Sequence, residues 1–358
     1  MCRSLPKDRA AVFLTKQQDC VSNGANLFLQ YNDGGWGEVV LKKIMRGRFA
    51  PSPTGKMHLG NAWTALLAWL QVRAGKGQLV LRMEDLDPDR SREEYVQGLE
   101  ADLHWLGLDW DEGGGLDGVY GPYAQDARRD LYEAALQRLQ EQHLVYPCYC
   151  TRAELAASAP HGEDGERIYS GTCSGGVAEN KLARKPSLRL EVPAEEIVFE
   201  DGVYGFVRQN LRQECGDFVV RRSDGVHAYQ LAVVVDDALM GITHVLRGAD
   251  LLSSTPRQLY LYRLLGYDAP SFSHVPLLVD EEGVRLSKRH GALAVAALRE
   301  RGVRAEKIIG LLAWLAGLLP SLEAAKPQEI VGLFDLEKMP RQDIIVSETA
   351  WRFLSGHL

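Results

Sequence analysis

The longest apolar run with helical spacing begins at Leu59. There, NAWTALLAWLQVRAG is apolar nearly all round, as in a helix buried on every side, and Gly75 and Gly77 stop it. Just before it, Gly47, Arg48 and Phe49 read as a short strand. Pro51, Pro53 and Gly55 then break the chain into a turn, so the helix starts near His58. GQLVLRMEDLD follows as a continuous apolar strand ending in Glu84, Asp85 and Asp87. Ser91 with Glu94 forms a capping box for a helix that carries Tyr95, Leu99, Leu103 and Leu106 on one face. Leu131, Ala135, Leu136 and Leu139 mark a further helix over 131–144.

From Ser187 the pattern turns strand-like through SLRLEV, IVFEDGVYGFVRQN and FVVRRSDGVHAYQ, with Asp224-Gly225 as a hairpin turn. LAVVVDD then reads as another buried strand, and Thr255 before Pro256 as the start of a helix reaching Leu265. Residues 295–319 read as helical, with Ile308, Leu311, Leu312 and Leu315 on one side. Apolar strands followed by helices predict an α/β fold around a parallel sheet, with active residues at the strand C-terminal ends.

Composition adds limits. The chain has 358 residues, 46% hydrophobic and 25% charged, enough for one large domain or a domain with insertions. No run of about 18 apolar residues and no basic-then-apolar leader occurs, so the expected location is the cytoplasm. The net charge of -7 disfavours a surface that grips nucleic acid throughout, while leaving room for a local basic face. Residues 1–44 show no sustained periodicity and are expected to be a disordered extension without an assigned role. Six cysteines suit a metal site in a reducing compartment better than a disulfide scaffold. Cys148, Cys150 and Cys173 cluster, while Cys2, Cys20 and Cys215 stand apart.

Chemistry concentrates first in RGRFAPSPTGKMHLGN, Arg46 to Asn61. A strand, a tight loop and a helix N-terminus form an anion cradle, because free backbone N–H groups and the helix dipole point at one place. These letters resemble the first signature of class I aminoacyl-tRNA synthetases in its glutamyl form. The resemblance implies that His58 stabilises the phosphates of ATP. Asn61 stands where a second histidine is usual; it can donate a hydrogen bond but carries no charge. RLSKRHGA, from Arg285 to Ala292, resembles the second class I signature, with Arg285 and Leu286 as departures. Lys288 is retained, and the resemblance implies that it neutralises the leaving pyrophosphate.

Carried residue by residue, the likeness implies a glutamate pocket made by Arg48, Phe49, Ala50, Pro51, Ser52, Glu84, Tyr229 and Arg247, and an ATP site made by His58, Asn61 and Lys288. The physics agrees. Two arginines suit a dicarboxylic amino acid, since a planar guanidinium holds a carboxylate through two parallel bonds.

Three cysteines and one further donor make a tetrahedral zinc set. Cys148 and Cys150 reach one ion only if the chain bends between them, which Pro147 and Thr151 favour. Three reduced structural cysteines are the other reading. The pattern Cys-x-Cys…Tyr-x-x-x-Cys resembles the glutamyl-queuosine tRNA(Asp) synthetases, which implies Tyr169 as the fourth ligand, with His161 the competing donor. The ion would be structural, with no position left open for water.

The expected architecture is a Rossmann-type class I synthetase catalytic domain with an inserted zinc-bearing domain placed near the acceptor end of an RNA. The expected boundaries are an extension over 1–44, the first half of the nucleotide-binding fold over 45–145, the insertion over 146–225, the second half over 226–295 and a helical segment over 296–358. No anticodon-binding domain is expected. The resemblance implies ATP with Mg2+, L-glutamate and tRNA(Asp) carrying queuosine, with glutamate passed to the modified base. A shortened glutamyl-tRNA synthetase that charges a 3′ end, which RLSKRHGA favours, and a non-catalytic zinc-stabilised RNA-binding protein are the rivals.

Overall fold

The computed structural model describes residues 27–28, 42–151, 153–155, 168–177, 179–286 and 294–355. Lys288, His161 and most of the 1–44 extension lie outside the described residues. Arg46–Phe49 forms β1, buried throughout, and Leu59–Ala74 forms α1, the largest single contributor to one core. The packing between them is tight: a Cβ on Gly47 would sit 2.4 Å from Val72 Cγ2, so this strand position has no room for a side chain. Trp63 is almost fully buried, yet its indole N–H donates to Pro276 O at 2.9 Å, which satisfies the polar atom and ties α1 to the second half of the chain.

Gln78–Leu81 (β2) lies parallel to β1, and Glu112–Gly113 (β3) lies parallel to β2. The helix Glu93–Leu106 (α2) crosses between β2 and β3, and Arg129–Glu141 (α3) follows. Val145–Cys148 (β4), Ser187–Leu190 (β5) and Phe218–Arg221 (β8) form a separate antiparallel sheet with β5 in the centre. Between β5 and β8 in sequence, the hairpin Glu196–Asp201 (β6) and Gly205–Asn210 (β7) joins a different sheet. Its partner is Ser271–Val275 (β10), which lies parallel to His244–Gly248 (β9). The stretch 146–225 therefore supplies strands to two sheets.

β9 follows the helix Tyr229–Leu239 (α4) and precedes Thr255–Leu265 (α5). Thr243 N donates to Arg46 O at 2.9 Å, which sets the start of β9 beside β1. Strand order thus reverses between β1 and β9, the place where an open parallel sheet leaves a crevice at its C-terminal edge. The expected α/β arrangement of parallel strands and crossover helices is present. Toward the C-terminus, Leu278–Val279 (β11) pairs with Ile344–Ile345 (β12). Val295–Glu300 (α6), Ala305–Leu315 (α7) and Glu348–Ser355 (α9) pack onto the α1 core, with the one-turn helix Pro327–Ile330 (α8) between α7 and β12. Among the described residues no helix is long and apolar enough to cross a membrane.

Three local expectations are corrected. LAVVVDD is not a strand but most of α4: a short run of branched apolar residues fits either period, and packing on α3 and α5 decides for the helix. Ser91 does not cap α2; Arg92 occupies the N-cap without a side-chain bond. The chain is pinned there instead by Ser91 N to Asp87 O and Arg92 N to Pro53 O. The helix expected over 295–319 is two helices, broken at Gly302, whose φ of 81° is left-handed.

One buried acid in this frame titrates far from its ordinary range. Burial lifts the Asp102 carboxyl from 3.8 to about 6 against the pull of Arg299 and Lys56, and its Oδ1 meets Arg299 only at 3.5 Å. A carboxyl whose folded value is raised contributes stability in full below its unfolded value and loses it as pH rises through about 6. Asp102→Asn is accordingly expected to gain about 1–2 kcal/mol over the wild type between pH 4 and pH 8, after discounting for solvent near the pair. Urea unfolding at both pH values measures this, and an equal difference at the two would show that Arg299 fully offsets the burial.

Candidate functional site

At the reversal of strand order, the C-terminal ends of β1 and β9 open into a cavity of about 410 Å3. Its lining brings together Arg48, Phe49, Ala50, Pro51 and Ser52 from the first signature, His58 and Asn61 from the start of α1, Glu84, and Tyr229 with Arg247 from the second half. Lys288 lies outside the described residues. The residues flanking 287–293 nevertheless meet the His58 turn. Ala294 bridges His58, and Leu286 O would sit 3.3 Å from a Cβ on Gly60. Gly60 is squeezed between that carbonyl and the His58 ring, 3.1 Å away, which is why a residue without a side chain stands in HLGN.

His58 is the N-cap of α1, and it forms a reciprocal box with Asn61. His58 Nδ1 accepts from Asn61 N at 3.3 Å, while Asn61 Oδ1 accepts from His58 N at 3.3 Å. With Nδ1 accepting, the neutral imidazole carries its proton on Nε2, as a donor suited to a phosphate. Asn61 thus holds the histidine's tautomer as well as starting the helix.

Behind the cavity lies a buried ionic network that sequence reasoning missed. Arg82, fully buried, reaches Asp237 at 2.5 Å, Glu84 at 3.2 Å and Asp236 at 3.7 Å. Asp236 also takes Arg128 at 2.6 Å, Tyr132 and Gln125, and Arg48 reaches Asp237 at 3.4 Å. Burial opposes charge on Asp237, but Arg82 and Arg48 win and hold its carboxyl below the usual range. Glu84 goes the other way: burial raises it, and Arg82 and Arg48 only partly offset that. The signal available in the sequence was two adjacent acids inside an apolar run, VVVDD. Such acids need buried cations whichever element carries them.

Arg247 differs from the other arginines here. It is buried, and its partners are His274 Nε2 at 3.0 Å, Thr255 Oγ1 at 2.8 Å, Leu251 O at 3.4 Å and Tyr229 Oη at 3.5 Å, all neutral. Among the described residues no carboxylate lies within ion-pair distance of it. Burial pulls its pKa down, and the nearby Arg48 charge adds to this. Such a cation favours an incoming carboxylate.

A second cluster sits off the end of β4. The sulfurs of Cys148, Cys150 and Cys173 lie within 4.8 Å of one another. The Tyr169 hydroxyl joins them, 3.3 Å from Cys148 Sγ and 3.7 Å from Cys150 Sγ, and Cys150 Sγ is 3.6 Å from Cys173 Sγ. A tetrahedral ion with sulfur at about 2.3 Å and oxygen at about 2.0 Å would separate S from O by about 3.5 Å and S from S by about 3.8 Å, so the donors fit a metal. Cys150 lies past the strand end, so the required bend is present. Burial and the three sulfurs raise the Tyr169 phenol, while a bound cation would invert that balance. Arg189 stacks 3.8 Å over its ring and supplies positive charge to an anionic donor set. His161 lies outside the described residues.

Residues 44–349 match the family model of the catalytic domain of class I tRNA synthetases (E and Q). A glutamyl-Q tRNA(Asp) synthetase of Symbiobacterium thermophilum is 52% identical over 321 residues, covering 87% of this chain and 99% of that protein. A glutamate–tRNA ligase of Sulfurihydrogenibium sp. is 41% identical, covering 87% of this chain and 67% of its own. The crystal structure of a glutamate tRNA ligase from Elizabethkingia meningosepticum in complex with its amino acid superimposes with a TM-score of 0.74 at 28% identity, covering 87% of this chain and 69% of that one.

Metal analysis of the purified protein is expected to give one ion per chain and Cys173→Ser to lose it, with melting lowered in both Cys173→Ser and chelator-treated wild type. Full metal content in Cys173→Ser would remove that residue from the site.

Proposed function

This chain belongs to the class I tRNA synthetases (E and Q), in the glutamyl-Q tRNA(Asp) synthetase family, and is a ligase; on that premise we propose that it activates L-glutamate with ATP in the absence of tRNA, then transfers it to queuosine in the anticodon loop of tRNA(Asp). The observation that carries the amino-acid choice is Arg247, a buried guanidinium in the cavity lining whose partners among the described residues are all neutral. It takes the side-chain carboxylate, Glu84 and Tyr229 receive the ammonium group, and Arg48 neutralises the α-carboxylate as it approaches ATP.

An α-carboxylate oxygen attacks the α-phosphorus. A P–O bond forms, the bond to the bridging oxygen breaks, and pyrophosphate leaves with the electron pair. His58, with its proton on Nε2, donates to the phosphate oxygens where charge gathers, and Lys288 neutralises pyrophosphate from the segment that Leu286 and Ala294 flank. Mg2+ accompanying ATP would share that charge. Zn2+ held by Cys148, Cys150, Tyr169 and Cys173 would be structural and would fix the antiparallel sheet for RNA docking.

Transfer to queuosine is favoured over 3′-end charging by the higher identity to glutamyl-Q relatives, 49–52% against 39–46% to glutamate–tRNA ligases. ATP/pyrophosphate exchange with glutamate and no RNA is expected, with losses on the order of a hundredfold or more in His58→Ala and Lys288→Ala while folding is retained. Labelled glutamate should pass to tRNA that contains queuosine and not to tRNA that lacks it. Exchange that appears only when tRNA is added would favour the 3′-end reading, and RNA binding without any exchange would favour a binding module.

A further inference from the structure

We propose that Asp201 and His274 are positioning residues that fix the aim of Arg247, so that the hairpin lying in sequence between two strands of the cysteine-bearing sheet governs amino-acid binding. This rests on the reading of the cavity as a glutamate site. His274 is fully buried on β10, beside β9, and its two ring nitrogens face opposite partners. Nδ1 lies 2.6 Å from Asp201 Oδ2, and Nε2 lies 3.0 Å from Arg247 Nε and 3.1 Å from Thr255 Oγ1. A guanidinium nitrogen can only donate, so Nε2 must be unprotonated. Nδ1 then carries the ring proton and gives it to Asp201.

Asp201 is placed to enforce this tautomer. Its Oδ1 accepts from the backbone N–H of Val203 at 2.9 Å and Tyr204 at 3.0 Å, the His274 N–H is shared between Oδ1 at 3.2 Å and Oδ2 at 3.1 Å, and Oδ2 faces the imidazole. Every bond the carboxylate makes here is as an acceptor. His274 holds one edge of the guanidinium and Thr255 holds Nη2 at 2.8 Å. Nη1, with one bond at 3.5 Å to Tyr229, is left as the end offered to a ligand. Burial, helped by Arg247 and opposing Asp201, lowers the His274 pKa, in keeping with a neutral ring between a carboxylate and a guanidinium.

Asp201→Asn separates aiming from packing, because the amide has the same size with one acceptor fewer. The Val203 and Tyr204 N–H groups keep its oxygen on the Oδ1 side, so its NH2 faces His274 Nδ1 and drives the ring proton to Nε2. Two donors then meet at Arg247 Nε, Nε2–H competes with Nη2 for Thr255 Oγ1, and the guanidinium turns away. The expected result in ATP/pyrophosphate exchange is a KM for glutamate raised on the order of 10–100-fold, with the KM for ATP within about twofold. His274→Gln, whose amide oxygen can replace Nε2 as an acceptor, is expected to keep the glutamate KM within a few-fold. His274→Asn, which can reach Asp201 but not Arg247, is expected to lose it as Asp201→Asn does.

Nitrogen-15 shifts of His274 provide a reading that does not depend on activity, with Nε2 bare in the wild type and protonated in Asp201→Asn. An unchanged tautomer, or KM values for glutamate and ATP that rise together, would overturn the positioning role. Wild type that shows the expected tautomer but no exchange with glutamate would overturn the functional reading instead.

Discussion

Everything at the active end of this molecule leans on Arg82. Buried without access to water, its guanidinium is worth keeping charged only because Asp236, Asp237 and Glu84 surround it; burial disfavours the charge, and their combined field raises its pKa well above the ordinary value. The two aspartates belong to α4 and the arginine follows β2, so the network joins the two halves of the fold across the floor of the cavity. Removing one member of such a buried set leaves a naked charge, a loss of about 3–5 kcal/mol. That is a large share of the stability of a folded domain. The same contacts hold Arg48 and Glu84, which line the cavity, so the geometry of the pocket and the cohesion of the fold come from one set of charges.

Charge is used differently a short way along the cavity wall. Arg48, Arg82 and Arg128 are each matched by carboxylates, whereas the groups that hold Arg247 among the described residues are neutral. A pocket built this way carries a positive surplus at one end and a carboxylate, Glu84, elsewhere in its lining, complementary to an amino acid with an extra acidic group. His58, also in the lining, spends one ring nitrogen on a capping box at the helix start, which sets the neutral ring's proton on the other.

The cysteine cluster shows how local chemistry and distant packing combine. Cys148, Cys150 and Cys173 converge because β4 ends at Cys148 and the chain bends, and Tyr169 arrives from a segment bridged to Gly216. The hairpin Glu196–Asn210 leaves that sheet and pairs with β10, which places Asp201 against His274. Two centres far apart in purpose are therefore connected by one continuous stretch of chain.

Much of this was legible in the sequence: the α/β class, the strand and helix around RGRFAPSPTGKMHLGN, and the residues that line the cavity, from Arg48 to Arg247. These were readable because a strand, a proline-broken turn and a helix start are local features, and because their residue types are tied to phosphate and carboxylate chemistry. What the sequence could not decide was anything set by contact across the fold. LAVVVDD fits a strand or a helix by its period, and only packing on α3 and α5 made it a helix with its acids turned to Arg82. The neutral imidazole beside Arg247, and the Asp201–His274 pair that sets it, depend on residues 73 positions apart meeting at 2.6 Å. Local pattern selects elements, whereas the cost of burying charge is settled only when distant elements meet.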